Sequence, residues 1–440
     1  MKITFVRPHL TDQRASDAME PLAFAVLAGL TPPDVELALY DDRIEPVCVD
    51  APTDLAALSV ETFTARRAYE IAAEFRQRGV PVVLGGYHPT LLPDEARQHA
   101  DAIVIGDAES VWPEVVRDAQ AGRLRPVYQS ETPPSLHGLK VDRRIFRGKR
   151  YAPLTPVQFG RGCRFACDFC AVHAFYGATL RQRPVAEVVS EIEALGRKFL
   201  LLADDNIFAS PRLAEELFNA LVPLKVHWAC QASIDVAQDG RLLDLMARSG
   251  CFAALVGLES LDERNLAQMK KKWNRERGDF AGALAQFSER GIMVCGTFVF
   301  GYDYDTPATL DATLEFALRS KLALAQFNTL LPYPTTALYR RLQAEGRLIY
   351  DRWWLDPTFR FGQAMFHPRG MTAEALTEGC FRLRREFNRY SSIAQRALAP
   401  QTNCRTPYHL FAFLAANLIS RREIYKKQGK ALGLSAPEAA

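Results

Sequence analysis

The sequence has no run of about 18 apolar residues, the length that a membrane-spanning helix requires. Its opening, MKITFVRPHL, contains neither an apolar stretch nor a small-residue cleavage site, so no secretory signal is expected. Charge of one sign is also missing. The 54 Lys and Arg against 51 Asp and Glu leave a formal charge of +3, and no dense basic face for a nucleic-acid partner is expected. Nine cysteines in 440 residues are too few for a disulfide scaffold, which suits a cytoplasmic chain with reduced thiols. Neither GxGxxG nor GxxxxGK[ST] occurs, so the two common phosphate-cradling loops are absent.

What is present reads as an ordinary globular chain, 48% hydrophobic and 24% charged. Residues 1–125 alternate β-like runs (2–8, 35–42, 55–62, 80–86 and 102–109) with helical stretches (19–30, 64–78, 92–99 and 110–120). Short connections between them predict a parallel sheet covered on both faces, a five-stranded Rossmann-like doubly wound domain. Residues 126–150 read as a linker. A second alternation fills 151–340, with strands expected at 154–160, 198–205, 226–233, 252–260, 292–301 and 324–333. Six β/α units are too few for a closed barrel of eight and suit an open, partial (β/α)6 barrel with its site at the strand carboxyl ends. Residues 341–440 read as mainly helical. The polar tail GLSAPEAA is expected to be mobile.

Six cysteines are scattered singly, and Cys251 and Cys295 read as small core hydrophobes. The other three, Cys163, Cys167 and Cys170, stand together in GRGCRFACDFC, directly after the first strand of the second array. Three thiolates within eight residues can wrap one metal centre. A closed zinc site wants four ligands, and His173 is available as the fourth, although no second cysteine knuckle exists. A sealed ferredoxin-type cubane also wants four cysteines. A cubane on three thiolates leaves one iron open to a small molecule.

CxxxCxxC with an aromatic residue, Phe169, before its last cysteine resembles the radical S-adenosylmethionine (SAM) superfamily. The resemblance implies a 4Fe–4S cluster on Cys163, Cys167 and Cys170 whose open iron chelates SAM. One electron then breaks the C5′–S bond to give methionine and a 5′-deoxyadenosyl radical. It further implies cofactor contacts from Phe169, from Asp204 and Asp205 after the second barrel strand, from Gln231 and Ser233 at the third, and from Glu259 in Gly257-Leu258-Glu259-Ser260 at the fourth. Two stretches depart from the family pattern. Tyr304-Asp305-Thr306 stands where the family continues with Pro-Gly-Glu-Thr, and Thr335 replaces a glycine in Leu331-Pro332-Tyr333-Pro334-Thr335-Thr336.

Nearly the whole chain resembles the subgroup with an N-terminal cobalamin-binding-type domain, matching at Gly85-Gly86-Tyr87-His88-Pro89-Thr90 and Gly106-Asp107-Ala108-Glu109. That subgroup includes methyltransferases and a tetrapyrrole ring cyclase, with and without cobalamin. The DxHxxG of histidine-ligated cobalamin proteins is missing, because Arg7-Pro8-His9-Leu10 occupies its place. If cobalamin binds, His9 is not expected beneath cobalt, and Gly85 and Gly86 are expected to let the backbone approach the corrin. His88 reads equally as a turn former or a cofactor contact. The reading is a transferase, a methyltransferase, acting on a small-molecule substrate; the alternative is cyclisation, rearrangement or 3-amino-3-carboxypropyl transfer without cobalamin. An electron donor such as flavodoxin or ferredoxin is the expected partner. Nucleic acid and membrane contact are not expected. Tyr302, Tyr304, Tyr333, Trp353, Trp354, Phe359, Phe361 and Phe366 read first as core packing. Residues 408–419 are expected to pack on the barrel, and 270–277, KKKWNRER, to form a solvated face.

Replacement of all three clustered cysteines by alanine is expected to abolish iron incorporation after anaerobic reconstitution. Iron content close to that of the unaltered protein would refute the assignment.

Overall fold

The computed structural model describes residues 1–11, 14–274 and 279–433. The expected mobile tail lies outside them from 434 onward, as do residues 275–277 of the basic run and residue 278 after it. The chain divides into two compact units. One comprises Met1–Ala152, Tyr350–Phe361 and the stretch beginning at Gly429; the other comprises Pro153–Ile349 and Gly362–Gln428.

The first unit holds a parallel sheet of six strands: β1 (Lys2–Arg7), β2 (Glu36–Asp41), β3 (Leu55–Ser59), β4 (Val82–Gly85), β5 (Ala102–Ile105) and β6 (Val127–Gln129). Their spatial order is β2-β1-β3-β4-β5-β6. The order reverses between β1 and β3, the kind of switch point at which doubly wound sheets bind ligands. The sixth strand corrects the expected five. It falls within the supposed linker, where the run Val127-Tyr128-Gln129 is too short to signal a strand by periodicity. Pairing with β5 and burial of Tyr128 fix it instead.

Ile3, Phe5 and Val6 are fully buried, as the central strand of a sheet covered on both faces demands. Phe5 meets Phe24 and Trp112 with ring centroids 5.3 and 5.6 Å apart. The helix Ala65–Gln77 buries Ala65, Ala68, Ile71, Ala72 and Phe75, one face at helical spacing. Tyr350–Phe361 joins this unit through Trp353, whose ring lies 4.7 Å from that of Phe63, and Trp354, whose Nε1 donates to Glu95 at 3.0 Å. These tryptophans are core residues, as are Phe359 in this unit and Tyr302 and Phe366 in the second.

The second unit is a sheet of six parallel strands in sequential order. They are β7 (Thr155–Val157), β10 (Phe199–Leu202), β11 (His227–Ala232), β12 (Cys251–Glu259), β13 (Met293–Phe300) and β14 (Leu324–Thr329). A short antiparallel pair, β8 (Gly160–Arg161) and β9 (Arg181–Gln182), brackets the cysteine loop. Helices Val185–Leu195, Pro211–Leu221, Gly240–Arg248, Phe280–Glu289 and Pro307–Arg319 alternate with the strands. This is the expected partial (β/α)6 barrel.

The C-terminal helices Ala373–Phe387, Tyr390–Ala397 and Pro407–Lys427 are tied to it by Arg396, which is 1% exposed. Its guanidinium donates to the carbonyls of Leu322, Ala323 and Phe387, to Ser392 Oγ and to Asn417 Oδ1. Helix Pro407–Lys427 buries Phe413 and Asn417, but Phe411 and Leu418 are exposed, so residues 408–419 pack on the unit through one face only. No described helix is long and apolar enough to cross a membrane.

Thr335 adopts φ +65°, a left-handed conformation costly for a β-branched residue, at the position where glycine was expected. Thr335→Gly is therefore expected to raise unfolding stability by about 1 kcal/mol, the relief of strain exceeding glycine's larger unfolded-state entropy. A fall in the urea midpoint would contradict this.

Candidate active site

The cysteine loop begins where β7 ends, and strand-end carboxylates pin it. Asp204, just beyond β10, is 3% exposed and accepts a hydrogen bond from the Phe159 N–H at 2.8 Å. Burial pushes its carboxyl up to about 8, against the stabilising backbone N–H groups of Phe159 and Gly160. Asp205 Oδ2 accepts from the Gly162 N–H, also at 2.8 Å. Gly162 has φ +92°, and a Cβ there would lie 2.1 Å from the Thr179 carbonyl oxygen, so only glycine lets the two arms of the loop close. The acidic pair thus holds the loop.

Cys167 is buried, and Cys163 and Cys170 are half-buried. Burial pushes the Cys167 thiol up to about 12; the Lys271 ammonium opposes this, while Cys170 and Cys163 add to it. Burial likewise raises Cys170, and the N–H groups of His173 and Val172 pull it back. Asn206 Nδ2 stands 3.8 Å from Cys163 Sγ and 3.2 Å from Ser233 Oγ. Sulfurs that discourage one another's ionisation, faced by amide donors and an ammonium, form a donor set suited to a cationic metal centre. Among the described residues no three His, Cys, Asp or Glu side chains converge on a single ion. His173 Nδ1 lies 3.1 Å from the Gly177 carbonyl oxygen. A cubane asks each thiolate to reach a different iron. The residues fit a cluster.

The other expected residues stand on the same rim. Gln231 is exposed on β11, with Nε2 3.5 Å from the Asp204 carbonyl oxygen; Ser233 is buried beside Asn206. Phe169 is half-buried against the barrel core. Glu259 ends β12 at φ +64°, after a break in the register with β13. Its Oε1 pairs with Lys271 Nζ at 2.7 Å, and Thr297 Oγ1 lies 3.4 Å from Oε2. Strained backbone at such a position is typical of a functional strand end.

Lys271 corrects the expected solvated face. It is 7% exposed, and its ammonium also donates to the Gly257 carbonyl at 3.0 Å. Trp273 stacks on Phe165 of the cysteine loop, with centroids 3.7 Å apart and planes 8° apart. Periodicity could not reveal this, because the partners lie a hundred residues away.

Asp168, between two of the cysteines, is another residue that sequence reasoning missed. Its N–H donates to Met269, its carbonyl accepts from Leu338, and its carboxylate accepts from Tyr302 Oη at 2.5 Å and from Arg341 at 3.4 Å. The loops after β12, β13 and β14 thereby meet at one residue of the cysteine loop. Asp305 stands where the family has glutamate. Its Oδ2 accepts from the N–H groups of Gly301 and Tyr302, and burial pushes its carboxyl up to about 6.

At the strand ends of the first unit, Gly86 has φ +102°, and a Cβ there would lie 2.9 Å from the Val60 carbonyl oxygen. The conformation and the neighbouring strand require this glycine. A Cβ on Gly85 would make only an ordinary contact with Val104. His88 lies in a short helix, Tyr87–Leu91, and is fully buried with Nε2 2.9 Å from Glu95 Oε1 and 3.0 Å from Tyr69 Oη. It is a core residue. His9 is 3% exposed, and its N–H donates to Asp42.

Fold and site together define an α/β enzyme that presents three clustered cysteines at the mouth of an open barrel. Residues 157–317 match the family model of the Radical SAM superfamily, so this part of the chain is similar to a radical SAM domain. A domain of that family implies a 4Fe–4S cluster and SAM as cofactors. The chain is 29% identical to bacteriochlorophyllide d C-12(1)-methyltransferase of Chlorobaculum tepidum over 86% of its own length and 84% of that protein. It is 28% identical to bacteriochlorophyllide d C-8(2)-methyltransferase of the same organism, over 76% and 78% of the two chains. The fold is similar to that of the cobalamin-dependent S-adenosylmethionine radical enzyme OxsB, with a TM-score of 0.66, 14% identity, and coverage of 96% of this chain and 72% of that one.

Lys271→Met leaves the Glu259 carboxylate buried without its counter-ion. A loss of about 3–5 kcal/mol in urea unfolding is expected, most of it recovered by adding Glu259→Gln. Equal losses in the single and double variants would show that the pair is not coupled.

Proposed function

We propose that this enzyme methylates an unactivated carbon of a small molecule, using a radical derived from SAM and a methyl group carried by cobalamin. The observation that carries the reading is the cysteine triad after β7, in a chain similar over most of its length to two bacteriochlorophyllide methyltransferases. In this reading Cys163, Cys167 and Cys170 hold the cluster and leave one iron for the amino and carboxylate groups of SAM. When bound, the cluster supplies the electron that cleaves SAM, and cobalamin supplies the methyl group.

The chain's own residues position these partners. Asp204 and Asp205 fix the approach of the cysteine loop, and Asn206 orients Cys163 and Ser233. Phe169, Gln231, Ser233 and Glu259 face SAM, with Glu259 held by Lys271 and Thr297. Cobalamin belongs to the first unit, at the reversal of strand order between β1 and β3, without His9 as a ligand. The two bacteriochlorophyllide relatives make a chlorin the first substrate to test.

Protein reconstituted anaerobically with iron, sulfide and hydroxocobalamin, and given SAM, a strong reductant and bacteriochlorophyllide, is expected to form 5′-deoxyadenosine, methionine, S-adenosylhomocysteine and a product one methylene heavier. Omission of cobalamin is expected to abolish methylation and leave 5′-deoxyadenosine formation. Release of methylthioadenosine instead would overturn the reading in favour of aminocarboxypropyl transfer.

A further inference from the structure

A cluster that must be reduced for every SAM cleaved needs a place where electrons enter. One surface of the barrel unit has the required composition. The segment 269–274, which follows β12, lies directly against the cysteine loop. The Met269 carbonyl accepts the Asp168 N–H at 3.2 Å, and Trp273 stacks on Phe165, a residue two positions from both Cys163 and Cys167. Lys271 turns inward to Glu259, and its charge bears on Cys167. On either side of it Lys270 and Lys272 are exposed, Lys270 in a left-handed conformation at φ +57°. The helix Ala337–Ala344 begins against the same loop through the Leu338 N–H, and it adds the exposed Arg340.

The consequence is a half-buried aromatic pair touching the cysteine loop, flanked by exposed cations. An outward-facing lysine needs no explanation alone. Two exposed lysines beside a stacked aromatic pair that abuts the cysteine loop, with Arg340 on a helix that meets the same loop, suit an acidic protein. Basic and aromatic residues are the side chains that short-lived electrostatic docking uses, and complementary charge speeds encounter more than it deepens affinity.

We infer that Lys270, Lys272 and Arg340 form the docking surface for an acidic one-electron carrier protein, with Phe165 and Trp273 at its centre. The inference rests on Cys163, Cys167 and Cys170 being the cluster ligands. At this surface one electron leaves the reduced carrier, which is oxidised, and enters the 4Fe–4S cluster, which is reduced. No bond is made or broken there.

The test compares wild type with Lys270→Glu/Lys272→Glu and with Arg340→Glu, each carrying a reconstituted cluster. Two reductants are used, photoreduced flavodoxin at limiting concentration and excess dithionite, and binding of oxidised flavodoxin is measured separately by calorimetry. The double variant is expected to bind flavodoxin at least tenfold more weakly and to form 5′-deoxyadenosine at least tenfold more slowly with flavodoxin. With dithionite its rate is expected to match wild type, which also shows that it folds and holds its cluster. Wild-type binding is expected to weaken steeply as salt rises. The Arg340→Glu variant is expected to show a smaller loss of the same kind. Unchanged flavodoxin affinity and rate in the double variant would overturn the inference, as would failure of wild type to bind both an acidic flavodoxin and an acidic ferredoxin. Failure of wild type with dithionite would instead count against the cluster assignment, and the binding measurement would still judge the surface.

Discussion

Three thiols are gathered in a partly buried loop where burial holds Cys167 and Cys170 above the ordinary thiol range, and the barrel unit is organised around making that loop hold its shape. Burial raises Cys167 and Cys170, and the neighbouring sulfurs raise Cys167 further. The surrounding polypeptide answers with backbone N–H groups, the Asn206 amide and the Lys271 ammonium. The loop itself has only a two-residue β pair and a single turn of helix as regular structure. It therefore depends on carboxylates for its path: Asp204 and Asp205 at one end and Asp168 in the middle. Removing any of these would leave backbone donors without partners in a region with little water to replace them.

That dependence gives Asp204 and Asp205 a structural part in the loop. A buried carboxylate spends its lone pairs on whatever donors share its cavity, and for Asp204 these are Phe159 and Gly160. Glu259 differs in its supply of cations. Its carboxylate pairs with the Lys271 ammonium at the barrel mouth, and its left-handed backbone turns the side chain where an ordinary strand residue would not.

The first unit shows a comparable economy. Its strand ends carry ion pairs, Arg7 with Glu61 at 2.6 Å and Arg67 with Asp42 at 3.0 Å, and these fix the turns that follow β1 and β2. Glu95 is raised by burial but brought below the ordinary carboxylate range by His88, Trp354 and Tyr69. One carboxylate thus joins the helix Tyr87–Leu91 and the helix Ala65–Gln77 to the segment Tyr350–Phe361. Chain that is remote in sequence completes the core of this unit.

The sequence by itself determined the alternation of strands and helices in both units, the open six-strand barrel and the position of the cysteine triad. These are local: apolar runs of four to nine residues, helical spacing and a motif eight residues long each carry their own signal. The sequence also marked the departures at Asp305 and Thr335, because both fall inside recognisable stretches. Tertiary structure alone decided that Tyr128 belongs to a sixth strand, that Gly86 is fixed by Val60, and that His88 is core. It alone turned Lys271 inward and brought Asp168 to Tyr302 across more than a hundred residues. Whether a charged side chain faces solvent or a buried partner depends on what the fold lays beside it, and periodicity along the chain does not contain that information.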